Sequence, residues 1–117
     1  HFAGEFPLWL APEQVRLVPI ADRHVPYARR LQERLLAAGL RAEVDESNER
    51  MNAKIRDAEL YKVPYIAVVG DQEEQNGTVS FRSRQEPERK GVPADAFVAH
   101  LQDAHRRRLL KVEPIRV

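Results

Sequence analysis

Apolar residues change their period several times along this chain, and each change marks an element. In Gln14 to Ile20 (QVRLVPI), Val15, Leu17 and Pro19 alternate with Arg16, Val18 and Ile20, the pattern of a mostly buried strand. Ala21 to His24 is then a loop, with Asp22 or His24 placed to cap the next helix and Pro26 in its first turn. Tyr27, Leu31, Leu35 and Ala38 recur at helical spacing until Gly39 stops the helix. Leu40, Ala42 and Val44 alternate with Arg41 and Glu43 as a second, short strand, so strand, helix and strand form a right-handed crossover with a parallel pair.

Asp45 to Asn48 is a connection in which Ser47 or Asn48 can cap a second helix, putting Asn48 on its first turn. Met51, Ile55 and Ala58 mark the buried stripe of that helix, and Lys54 and Arg56 fall off it. Val63-Pro64 closes the helix, and Tyr65 to Val69 (YIAVV) is the continuous apolar run of a central parallel strand. After Gly70 comes a polar stretch, then Asn76-Gly77, a hairpin signal. Thr78 to Arg84 follows as an alternating antiparallel strand with Ser80, Arg82 and Arg84 on one face. Gln85 to Gly91 reads as a charged loop, and Pro93 to Arg108 as a final amphipathic helix with Phe97, Val98 and Leu101 inward. The order β-α-β-α-β-β-α implies an open three-layer α/β domain with a mixed sheet.

At 117 residues the chain has the length of one domain with a real core. Its 43% hydrophobic and 32% charged residues describe a globular chain, with no apolar run of bilayer-spanning length and no signal peptide in HFAGEFPLWLAP. Phe2, Phe6 and Trp9 between Pro7 and Pro12 are expected to form an entry connector over residues 1–12, ahead of a domain at 13–110 and a basic tail at 111–117. A start at His1 inside such a connector suggests a piece of a longer protein. The absence of cysteine removes disulfides and thiolate metal sites and fits a reducing, cytoplasmic setting. A net charge of +1 leaves any nucleic-acid affinity to local clusters.

Catalytic readings lack their parts. There is neither GxGxxG nor GxxxxGK[ST] to cradle phosphates, and no GxSxG elbow; Ser47, Ser80 and Ser83 have no neighbouring histidine in the sequence. His100 and His105 are five apart, one too many to align two metal ligands on a helix, and His1 and His24 read as surface loop residues. Asp22, Asp45 and Asp71 each follow a strand, as in a phosphoacceptor pocket, but capping and turn duties explain them more simply. The parts suit single-stranded RNA better. A carboxylate such as Glu73 can accept both donors of an unpaired guanine, Arg82 can fork to base carbonyls or phosphates, and Asn48 can donate and accept on a base edge. Lys54, Arg56 and Lys62 can hold phosphates. Ligands in open α/β sheets gather beyond the carboxyl ends of the parallel strands, where these residues are expected to converge. A Glu73–Arg82 cross-strand ion pair and a solvated helix face are the plainer alternatives.

FPLWLAPEQV and PIADR, then DESNERMNAKIRDAELYKVPYIAVVGDQE and NGTVSFRSR, together resemble the C-terminal anticodon-binding domain of bacterial-type class II threonyl-tRNA synthetases across nearly the whole chain. VPYIAVVGD…NGTVSFRSR is shared more loosely with prolyl, glycyl and histidyl enzymes. The resemblance implies a mixed, mostly parallel five-stranded sheet flanked by three helices, and recognition of the anticodon loop of tRNA(Thr), chiefly its second and third letters, G and U. It implies Asn48, Arg56, Glu73 and Arg82 as base contacts, with Lys54, Lys62 and Arg84 as backbone or flanking contacts. Catalysis with ATP, Mg²⁺ and zinc would belong to upstream domains of a homodimeric enzyme, and this piece alone would hold no cofactor and could be monomeric. Arg50 and Asn52 depart from the family's usual lysine and glycine, and QEPERKG is a longer, more acidic loop, which leaves contacts beyond Arg84 open. The rival readings are a prolyl or glycyl counterpart and a protein-interaction module of a synthetase-like accessory subunit presenting Phe2, Phe6 and Trp9.

Overall fold

The computed structural model describes residues 11–83 and 86–112, with side chains placed to residue 107. The strands β1 (Val15–Pro19), β2 (Ala42–Val44), β3 (Tyr65–Val69), β4 (Thr78–Ser83) and β5 (Arg89–Pro93) form one sheet in the order β2-β1-β3-β4-β5. β1 is parallel to both β2 and β3, and β3–β4 and β4–β5 are antiparallel. The helices are α1 (Val25–Ala37), α2 (Met51–Leu60), the short α3 (Asp71–Asn76) and α4 (Ala94–Val112).

The two crossovers, β1 to β2 through α1 and β2 to β3 through α2, run in opposite directions across the sheet. β2 lies on one side of β1 and β3 on the other, so right-handed connections must put α1 and α2 on opposite faces of the sheet. The cores follow. Alternate residues Val15, Leu17, Tyr65, Ala67, Val69, Val79 and Phe81 pack with Leu31 and Leu35 of α1 and Phe97 and Leu101 of α4. Phe81 and Phe97, both fully buried, pack in a tilted pair with ring centroids 4.8 Å apart. On the other face a smaller core joins Val18, Ile66 and Val68 to Met51, Ile55 and Ala58 of α2. Two helices cover the first face. On the second, α2 covers β1 and β3, and the flank toward β4 and β5 is left open as a groove.

The order of elements departs from the sequence pattern around α3 and β5, and Asp22–His24, read as a loop, is a turn of 3-10 helix. Asn76-Gly77 is not a two-residue hairpin: Asp71–Asn76 is helical, and Gly77 is the left-handed residue that ends it, at φ 69°. Asp71, Glu73 and Glu74 in its first turn suit the positive end of a helix. The charged stretch read as a loop contains β5, an edge strand in which Val92 is half-buried and the rest exposed. Pro93 ends β5, and α4 starts one residue later and runs past Arg108. Phe2, Phe6, Trp9, Arg84 and the last five residues lie outside the described residues.

α2 ends in a Schellman motif. Lys62 N–H donates to Glu59 O at 3.0 Å and Val63 N–H to Ala58 O at 3.1 Å, while Ala58 and Val63 share the smaller core. The left-handed position, usually glycine, is occupied by Lys62 at φ 58°. Lys62→Gly is therefore expected to raise unfolding stability by about 1 kcal/mol in urea titration, relieved strain slightly exceeding the added chain entropy.

Candidate nucleic-acid interface

The uncovered flank of the sheet is a groove of about 480 Å³. Ile66, Val68, Ser80, Arg82 and Lys90 come from the strands, Met51, Asn52 and Ile55 from α2, and Asp71, Gln72 and Glu73 from α3. Its apolar lining can take the flat face of a base, while Glu73 offers acceptors and Arg82 and Lys90 offer cationic donors.

Glu73 is fixed by its own backbone neighbourhood. Three residues after Gly70 on the first turn of α3, its Oε1 accepts the Gly70 N–H at 2.9 Å, half of a capping box. Its Oε2 accepts the Ser80 hydroxyl at 2.8 Å. Each carboxylate oxygen keeps a second lone pair, so the group can still accept from a ligand. Gly70 itself is crowded: a Cβ there would lie 2.5 Å from Ile20 Cδ1, so any side chain would displace Ile20 from the groove wall. The cross-strand pair Glu73–Arg82 considered above does not form. Arg82 lies 3.7 Å from Glu59 on α2, its side chain 40% exposed. It sits opposite Ile66, near the start of β3, so Glu73 and Arg82 mark the two ends of a groove on the sheet face rather than one carboxyl edge.

The remaining sequence candidates are dispersed. Asn48 is exposed two residues before Arg50, which is the N-cap of α2, so neither Asn48 nor Ser47 caps that helix. Arg56 is exposed and lines a separate depression with Ser47, Glu49 and Leu60. Lys62 lines a third, smaller one, which Arg82 also lines. Asn52, Ser80 and Lys90 escaped sequence reasoning, although alternation had already put Ser80 beside Arg82.

A family model described as an anticodon binding domain matches residues 14–104. The chain belongs to that family. The chain is 54% identical over 111 residues to the threonine–tRNA ligase of Deinococcus radiodurans and 49% identical over 115 residues to that of Thermus thermophilus. The alignments cover 92% and 98% of this chain and 17% of each relative, so the chain spans about one sixth of their length. The RNA binding domain of threonyl-tRNA synthetase from Cryptosporidium parvum superposes with a TM-score of 0.82 at 27% identity, over 89% of this chain and 26% of that one.

In this anticodon-binding domain several residues prove to be supports. Lys54 reads as a solvated phosphate contact in the sequence, but it is 4% exposed, and its Nζ donates to Pro19 O at 3.2 Å and Asp45 O at 3.3 Å. It ties α2 to the end of β1 and to the loop carrying Asn48. Asp45 accepts the Ser47 N–H at 3.0 Å, the turn duty expected of it. Burial pushes its carboxyl up, but Ser47, Lys54 and Arg16 outweigh this and hold it below the usual range. His24 is buried rather than a surface loop residue: its Nδ1 accepts the Ala21 N–H, which makes Nε2 the protonated nitrogen, donating to Asp71 at 2.7 Å. Neither Asp22 nor His24 makes a side-chain cap for α1. His100 pairs with Glu86 and His105 with Gln14, so the two do not form a joint site. Among the described residues no group of three or more His, Asp or Glu is placed to hold a metal, and no helix is long and apolar enough to cross a membrane.

Lys54→Met keeps the stem and removes the ammonium, leaving two carbonyls without their donor. A loss of about 1–3 kcal/mol in urea unfolding is expected. The Arg23 and His24 hydrogen bonds lower the Asp71 carboxyl from 3.8 to about 2. Its contribution is therefore present above about pH 4 and lost as pH falls through 2. Urea midpoints measured from pH 5 to 2 should fall less steeply for Asp71→Asn than for the wild type.

Proposed function

We propose that this chain is the anticodon-recognition domain of a threonyl-tRNA synthetase, docking the anticodon loop of tRNA(Thr) so that catalytic domains outside this chain can charge it with threonine. The observation that carries the proposal is the groove with Glu73 and Arg82 at its ends, on a chain about half identical to threonine–tRNA ligases. That identity supports a threonyl rather than a prolyl or glycyl assignment.

In this reading an unstacked guanine of the anticodon lies against the apolar lining. Its N1–H and 2-amino group donate to the free lone pairs of Glu73, and Arg82 forks to a carbonyl or phosphate or stacks on the base. Asn48 and Arg56, beyond the groove, meet the following letter, and Lys62, Lys90 and Arg84 attend the backbone. Lys54 acts indirectly by holding the Asn48 loop. A full-length enzyme would also use ATP, Mg²⁺ and zinc. The reading assigns them, and homodimer formation, to the rest of a full-length cytoplasmic enzyme.

Glu73→Ala and Arg82→Ala are each expected to weaken binding to a tRNA(Thr) anticodon stem-loop by about 1–3 kcal/mol, by analogy with base contacts in DNA complexes. Urea stability should stay above the threshold for folding. If Arg82 meets a phosphate, its removal should also reduce the slope of log affinity against log salt by about 0.7. Unchanged affinity in both variants would remove the site assignment.

A further inference from the structure

The β4–β5 ladder is irregular beside the groove. Val79 pairs with Val92 and Phe81 with Arg89, so the single residue Ser80 faces two, Lys90 and Gly91. Gly91 has φ +65°, the left-handed conformation glycine takes in a bulge of this kind. Its N–H points to Ser80 Oγ at 3.4 Å, and the Ser80 proton is given in turn to Glu73 Oε2 at 2.8 Å. Ser80 is only 7% exposed, so water competes little for the hydroxyl.

A carboxylate rotates about a soft terminal torsion. To accept two donors from one flat base, both of its oxygens must lie in the plane of that base. Gly70 N–H holds one oxygen of Glu73 and Ser80 holds the other, which fixes the plane before a ligand arrives. We propose that Ser80 is a positioning residue for base recognition, orienting the Glu73 carboxylate so that both oxygens meet the two donors of guanine. The proposal rests on the reading of Glu73 as the guanine contact. Removing the hydroxyl leaves the charge of Glu73 and the cations of the groove in place, so overall attraction to RNA persists while two-point recognition is lost.

Inosine isolates this effect, because it keeps N1–H and lacks the 2-amino group. The full-length protein is titrated with anticodon stem-loops carrying guanine or inosine at the second anticodon position. The ratio of the two affinities does not depend on the fraction of protein that is folded. Ser80→Ala is expected to reduce the preference for guanine about tenfold, the effect of one charge-assisted hydrogen bond. Ser80→Thr, which restores a hydroxyl and suits a strand, should keep it. In a Glu73→Ala background Ser80→Ala should change nothing further. If Ser80→Ala keeps the wild-type preference while Glu73→Ala abolishes it, the positioning role is overturned and the reading of Glu73 stands. If wild type itself does not distinguish guanine from inosine, or Glu73→Ala keeps the preference, the reading of Glu73 fails and the role of Ser80 fails with it.

Discussion

Two successive right-handed crossovers that run in opposite directions across the sheet govern the rest of this structure. β1 lies between its two parallel neighbours, so the helix leading to β2 and the helix leading to β3 cannot share a face. α1 takes one face and is joined there by α4, which gives the larger core its aromatic centre at Phe81 and Phe97. α2 has the other face to itself, and a helix of ten residues covers little more than β1 and β3. The antiparallel extension through β4 and β5 widens the sheet beyond the reach of α2, and the uncovered width is the groove.

Within the groove, the carboxylate of α3 is held in place before any ligand arrives. The Glu73 carboxylate sits on the Gly70 N–H and the Ser80 hydroxyl, and the bulge at Lys90–Gly91 supplies a donor to Ser80 from the edge strand. The same economy appears behind α2, where a buried lysine donates to the last carbonyl of β1 and to the first of the loop after β2. A carboxylate held as Glu73 is loses little side-chain entropy on binding, since it is already oriented.

Legibility in the sequence followed burial. β1, β3, α1 and α2 each bury apolar residues and each was readable, although α2 begins at Met51, later than the Ser47 or Asn48 cap expected for it. α3 buries none of its residues, so DQEEQN carries no period, and the glycine that ends a helix is also a glycine that makes a hairpin turn. β5 is a charged edge strand with one half-buried valine, and it looks like a loop for the same reason. Lys54 misled in the opposite sense. Its charge argues for solvent, but its place on α2 aims the stem over the end of β1, where two carbonyls need a donor.

The site divides along the same line. Local alternation put Ser80 and Arg82 on one face of β4, and the spacing of Glu73 from Gly70 is that of a capping box; both are properties of a few consecutive residues. That Glu73 and Arg82 line one groove, that Asn48 and Arg56 lie apart from it, and that Ser80 faces a bulge depend on which strand neighbours which. By itself the sequence determined the elements that bury apolar area and the family to which they belong, because periodic burial and contiguous motifs are written residue by residue. Only the tertiary structure decided which charges are buried, which carboxylate is held in plane and where the sheet is left bare, because those follow from contacts between segments far apart in the chain.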